Sequence, residues 1–245
     1  MGQVIDINCD MGEGAGNEHL LMPYISSCNI ACGGHAGDSA TMSRVVQLAI
    51  KHKVKIGAHP GYPDPQNFGR KTMEIKSSVL KSSIRLQVGS LARVAADFGM
   101  KLFHIKPHGA LYNDAAKDEG LASAVLSALD DYREDCLIYL PHGSVIAKRA
   151  LKGGFSVKYE AFADRNYNDD LGLVPRSDSR AVLHRPEDVT EHMLTILEKE
   201  KVKTVSGKLL PLKAQTFCIH GDHENSVLIA RHIYDELTGK GYEIK

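Results

Sequence analysis

The stretch Val4-Ile5-Asp6-Ile7-Asn8-Cys9-Asp10-Met11-Gly12-Glu13-Gly14 decides how this chain is read. Apolar residues run through Val4, Ile5 and Ile7, then two carboxylates and two glycines follow at once. That is the pattern of a buried strand leaving a core and delivering Asp10 and Glu13 to an edge. The same grammar recurs. Ser27 to Cys32 closes on Gly33-Gly34-His35, and Lys55 to His59 closes on Pro60-Gly61. Lys101 to His108 closes on Gly109, Cys136 to Leu140 on Pro141-His142-Gly143, and Thr216 to His220 on Gly221-Asp222. Phe155 to Ala163 carries Glu160 and ends in Asp164-Arg165. In parallel α/β folds ligands gather at the carboxyl ends of the strands, so these endings converge on one polar site.

Between the strands lie helical periodicities. Asp38 is placed as the N-cap of a helix through Val45, Val46, Leu48 and Ala49, and a long amphipathic helix runs from Ser77 to Gly99. Further helices follow through Leu121 to Leu129, Val145 to Leu151, Val189 to Leu197 and Asn225 to Leu237. Val202 to Leu212 has the pattern of a small hairpin, and Asn166 to Arg185 is a polar stretch with Asn168-Asp169-Asp170 and Pro175-Arg176-Ser177. Seven strand-helix units imply parallel pairing with right-handed crossovers. They predict an α/β fold, a single-domain irregular seven-stranded β/α barrel over residues 1–245, with an open doubly wound sheet as the alternative.

Composition narrows the function. Lys+Arg and Asp+Glu both number 30, so no charge excess points to nucleic acid or a basic membrane patch. A hydrophobic content of 43% supplies a core, and no run approaches a membrane span. Met1-Gly2-Gln3 lacks the basic and apolar regions of a signal peptide, and Asp6 stands where a myristoylation motif wants Ser or Thr. The five cysteines are odd in number and sit mostly in apolar runs, which predicts reduced, buried thiols and a cytoplasmic location.

Gly12-Glu13-Gly14-Ala15-Gly16 lacks the Gly-Lys-Ser/Thr ending of a phosphate loop, and Glu13 would repel phosphate; a turn passing close to a ligand fits better. His35, His59, His108, His142 and His220 all end strands, whereas His104 lies mid-strand. Two chemistries are open to them. Asp10 with histidines such as His35 and His59 would bind a divalent metal that activates water. Alternatively, carboxylate-histidine pairs would do acid-base work without metal. Lys106 would hold an oxyanion or a phosphoryl group, or pair with Asp10, Glu13 or Glu160. Arg165 would clamp a carboxylate or pair with Asp164. No Gly-x-Ser-x-Gly elbow accompanies Ser144.

Eight segments in order resemble the LamB/YcsF family. They are Asn8 to Glu13, Asn29 to Asp38, Ile56 to Asp64, Phe68-Gly69-Arg70, Lys106 to Asn113, Glu160 to Arg165, Leu173 to Arg176 and His220-Gly221-Asp222. One departure is Gly34, where a bulky aromatic is expected in many members. The resemblance implies a barrel similar to the glycoside hydrolase/deacetylase type. It also implies the role of A subunit of a bacterial ATP-dependent 5-oxoprolinase, which opens the 5-oxoproline lactam to glutamate with separate B and C subunits. Its site inventory would be Asp10, Glu13, His35, His59, Lys106, His108, Glu160, Asp164, Arg165, His220 and Asp222, with His59 or Asp10 as base and Lys106 and His108 on the oxyanion. ATP is the implied cofactor, and a divalent metal is left open. The alternatives are a metal-dependent amidohydrolase or deacetylase acting on an N-acyl or carbohydrate substrate, and a non-catalytic small-molecule binding subunit.

Overall fold

The computed structural model describes residues 3–245, so the readings made on Met1 and Gly2 lie outside the described residues. Strands β1 (Val4–Met11), β2 (Ser27–Ala31), β3 (Lys55–His59), β4 (His104–Ile105), β5 (Leu137–Pro141) and β6 (Ser156–Phe162) follow in order. A hairpin of β7 (Lys201–Lys203) and β8 (Leu209–Pro211) precedes β9 (Thr216–Ile219), and β10 (Glu243–Ile244) ends the chain. Strands β1 to β6 pair in sequence, β6 pairs with β9, and β9 returns to β1, all parallel. Seven strands therefore close a barrel, and the open sheet is excluded. The added β10 pairs only with the start of β1. Among the described residues no helix is long and apolar enough to cross a membrane.

Helices α1 (Glu18–Leu21), α2 (Ser39–His52), α3 (Ser77–Asp97), α4 (Gly109–Ala115), α5 (Glu119–Ala128), α6 (Val145–Lys152), α7 (Pro186–Lys199) and α8 (Ser226–Gly239) surround the barrel. Asp38 caps α2 by accepting the Thr41 N–H at 2.7 Å, as its sequence position predicts. The strand expected from Lys101 to His108 shrinks to His104–Ile105, although Phe103 N–H still bonds Ile56 O and Lys106 N–H bonds Ala58 O. Beyond it His108 N–H bonds Pro60 O, while Pro107, which has no N–H, cannot donate to β5 on the other side.

The period of two along β1 sorts its side chains. Ile5, Ile7, Cys9 and Met11 join the apolar layer beneath the helices, whereas Asp6, Asn8 and Asp10 turn into the barrel. The barrel interior is consequently polar. At its base, Asp6 accepts from Ser26 and Tyr139 and meets the Lys158 ammonium at 3.2 Å. One layer higher, His104 reaches Asn29 Oδ1 at 2.6 Å, and Asn29 Nδ2 donates to Asn8 Oδ1 and Asp10 Oδ1. Asn8 Nδ2 in turn donates to Glu160 and Thr216. The buried His104 ring stacks on Tyr139 and has room only because residue 57 is glycine: a Cβ there would lie 2.2 Å from its Nε2. This chain of amides is the floor on which the site rests.

Candidate active site

Above that floor, at the carboxyl ends of the strands, opens a cavity of about 470 Å³. Asp10, Glu13, His59, Lys106, His108 and His220 line it, together with Arg165. Of the other residues expected from sequence, His35 backs Glu13, Glu160 lies beneath Lys106, Asp164 holds His220, and Asp222 pairs with Arg70 near the mouth. His142 is not brought to this group. It faces Tyr159, in an adjoining cleft that shares Tyr112, Asn113 and Phe162 with the cavity.

Lys106 is 2% exposed and sits at 3.0 Å from Asp10 Oδ1, Glu160 Oε1 and Cys218 Sγ alike. An ammonium has three donors, and all three are engaged here. Lys106 is therefore a fixed positive charge under the pocket, with no donor spare for an oxyanion, and its partners exclude Glu13. Burial opposes its charge, but Asp10, Cys218 and Glu160 hold its pKa well above the usual lysine value. Asp10 mirrors it. Burial works against the carboxylate, yet His59 and Lys106 keep it well below the ordinary range. Asp10 is an anchored anion.

Glu13 reaches the pocket from a turn in which Gly12 and Gly14 both adopt positive φ. Its Oε1 lies 2.9 Å from His35 Nε2, 3.4 Å from His108 Nδ1 and 3.8 Å from His59 Nε2. Burial and the neighbouring Asp10 charge raise its pKa. The imidazoles are closely packed, with His35 and His108 stacked at 3.5 Å. His59 Nδ1 donates to Lys106 O at 2.7 Å, and His108 Nε2 donates to Phe68 O at 2.9 Å. With Nε2 tied to the Phe68 carbonyl and Nδ1 3.0 Å from His59 Nε2, His108 has no free nitrogen for the expected role at an oxyanion.

His220 is placed differently. Both its backbone N–H and its Nδ1 meet the Asp164 carboxylate at 2.9 Å, and the ring stacks on Phe162. Asp164 thus fixes the tautomer with Nδ1 protonated, which leaves Nε2 for the pocket that the ring lines. Burial opposes the Asp164 charge, but His220 overcomes it and lowers its pKa to about 2. Arg165 proves neither the partner of Asp164 nor a free clamp. Its Nε donates to Ala181 O and its Nη2 to Val174 O, so it pins the polar segment that follows β6.

The sequence profile of the LamB/YcsF family matches residues 5–245. The chain belongs to the LamB/YcsF family. It is 41% identical to the A subunit of 5-oxoprolinase from Syntrophobacter fumaroxidans, covering 98% of this chain and 96% of that one. It is 40% identical to the A subunit of 5-oxoprolinase from Geobacillus kaustophilus, covering 99% and 96%. Among solved structures, the lactam utilization protein from Thermus thermophilus superposes with a TM-score of 0.91 at 33% identity, over 99% of both chains.

Within this LamB/YcsF barrel, Arg70 and Arg176 line the pocket; both stand in segments that carry the family resemblance, but neither is among the expected site residues. Arg70, stacked on Phe68, donates to Asp222 Oδ2 at 2.6 Å, and Arg176 approaches the same oxygen at 3.6 Å. Their signal was available. Arg70 ends the long Gly/Pro-rich loop after β3, and Arg176 stands in the polar stretch after β6. The Gly34 departure also has a local cause. A Cβ there would lie 2.2 Å from Gln87 Oε1, so glycine makes room for a buried glutamine from α3. Gln87 uses that room to hold Gly61 by both its N–H and its carbonyl, at 2.9 Å each.

Proposed function

We propose that this chain is a hydrolase of a cyclic amide that opens 5-oxoproline to glutamate as the A subunit of a multi-subunit 5-oxoprolinase. The observation that carries the reading is one pocket in which an aspartate-oriented imidazole, His220, shares walls with the Glu13 cluster and with Arg70 and Arg176. The names of the whole-length relatives supply the substrate.

The chemistry follows from the arrangement. A lactam carbon is a poor electrophile, and phosphorylation of the amide oxygen by ATP makes water attack feasible. His220 Nε2 takes the proton of the attacking water while Asp164 steadies the imidazolium. The ring nitrogen then leaves as the C–N bond breaks and receives a proton in turn. The acyl phosphate that remains is cleaved by a second water to glutamate and phosphate. Arg70 and Arg176 are the cations placed for the substrate carboxylate or the phosphoryl oxygens, and Asp222 orients them between turnovers. Lys106 and Asp10 set the field beneath the reacting carbon. The nucleotide itself is assigned to the B and C partners, because the glycine-rich stretch Gly12 to Gly16 lacks the Gly-Lys-Ser/Thr ending of a phosphate loop.

The test is glutamate release from 5-oxoproline and ATP, by this chain alone and with its B and C partners. Turnover is expected only in the mixture, and His220→Ala is expected to lower kcat by ~10²–10⁴-fold. Full turnover by the single chain, or by the mixture carrying His220→Ala, would overturn the proposal. A metal-dependent amidohydrolase is the second reading, favoured by the convergence of three imidazoles on Glu13. Lactam or N-acyl hydrolysis that proceeds without ATP and stops on chelation would select it.

A further inference from the structure

We propose that Glu13, His35, His59 and His108 bind one divalent transition-metal ion. The proposal rests on the hydrolase reading for the ion's catalytic use, though not for its binding. Each residue offers one ligand atom, and the four atoms all lie within 4.8 Å of one another. A tetrahedral ion with bonds of about 2.1 Å needs ligand atoms about 3.4 Å apart. Here Glu13 Oε1 stands 2.9, 3.4 and 3.8 Å from the three ring nitrogens, and His59 Nε2 stands 3.0 Å from His108 Nδ1.

The tautomers make the case sharper. His59 Nδ1 faces the Lys106 carbonyl and His108 Nε2 faces the Phe68 carbonyl, and a carbonyl can only accept. Those two nitrogens therefore carry the protons. His59 Nε2 and His108 Nδ1 face each other at 3.0 Å, and His59 Nε2 also lies 3.4 Å from Asp10 Oδ2, so without a cation one proton on His59 fills that contact. A proton would serve that one contact, whereas a cation would serve all four ligand atoms. Anchoring the far nitrogen of a ring to a backbone carbonyl is also how metal-binding histidines are oriented.

The four ligands are close, and His35, stacked on His108 with ring planes 4° apart, has to tilt for both nitrogens to face one ion. The four ligands come from the exits of the adjacent strands β1, β2, β3 and β4. Gly69 lets its loop close on the rings, since a Cβ there would lie 2.9 Å from His35 Cβ and 3.0 Å from His108 Cδ2. Three imidazoles and one carboxylate suit zinc or its neighbours in the first transition row, and not magnesium or calcium. Asp10, a ligand candidate from sequence, is replaced by Glu13. Asp10 Oδ2 comes within 3.4 Å of His59 Nε2, but its Oδ1 is held by Asn29 and Lys106.

The experiment is a titration of the chelator-treated full chain with zinc against a chromophoric competitor, repeated with cobalt(II) as a visible-absorption probe. One equivalent is expected, with the ligand-field spectrum of a four-coordinate nitrogen-oxygen site. His108→Ala and Glu13→Gln, checked for folding by circular dichroism, should each weaken binding by at least ~100-fold. His223→Ala should leave it unchanged, which removes the exposed His184–His223 pair as the source. No stoichiometric binding, or binding indifferent to both His108→Ala and Glu13→Gln, overturns the site. Neither partner subunits nor 5-oxoproline enter this measurement. Metal bound without lactam turnover would therefore count against the proposed function alone, and turnover without metal binding against this site alone.

Discussion

Asp164 shows what one residue can do for the site. Its pKa is lowered from 3.8 to about 2 by His220, against the effect of burial. A carboxyl group whose folded pKa is depressed contributes stability that is complete above its unfolded value and lost as pH falls toward the folded one. The contribution is about 2 kcal/mol at neutral pH and disappears between about pH 4 and about pH 2. Denaturant unfolding of Asp164→Asn should therefore fall below wild type by about that amount at pH 7, with the two curves converging near pH 2. Parallel curves would contradict the pairing. The pair was half legible in sequence. Asp164 and His220 were both candidates because they end strands, but nothing in the residue order joins positions 56 apart.

At the scale of elements, helix α3 reaches into the site through a single side chain. Gln87 replaces the missing backbone partners of Gly61 and so holds the loop between His59 and Phe68. Its place on the buried face of α3 follows from the helical period, but a glutamine among Ile84, Val88 and Leu91 carries no sign of its partner. Gln87→Leu leaves a buried N–H and carbonyl unpaired, and we expect a loss of about 2–4 kcal/mol in thermal or denaturant unfolding. Turnover should drop further than stability explains, as the loop bearing Phe68 loosens its hold on His108. A Gln87→Leu protein with wild-type stability would show that the clamp is dispensable. The segment after β6 gives the complementary lesson. Its polar composition was legible in sequence, while its course is decided by Arg165 bonding Val174 and Ala181 and by Asp169 bonding Thr204 and Lys208 of the hairpin.

Across the whole molecule, closure of β9 onto β1 turns a row of strand ends into a ring and gives the barrel a charged axis. Lys106 is the centre of that axis, with Asp10 on one side and Glu160 on the other. Lys106→Met leaves two buried carboxylates without their cation, and we expect a cost of ~3–5 kcal/mol. Adding Glu160→Gln should recover part of it, because one of the two stranded charges is then gone. A double-mutant cycle by chemical denaturation measures the coupling, and strict additivity would show that Lys106 does not bridge the two carboxylates. The residue order alone determined the strand-helix alternation, the alternating faces of β1 and the rim position of the catalytic candidates, because hydrophobic period and turn chemistry act over a few neighbouring residues. Only the tertiary structure decided that Lys106 faces inward with no donor to spare, that Glu13 takes the place of Asp10 among the imidazoles, and that His142 stands apart. Those outcomes depend on barrel register and closure, which bring together side chains from strands distant in the chain.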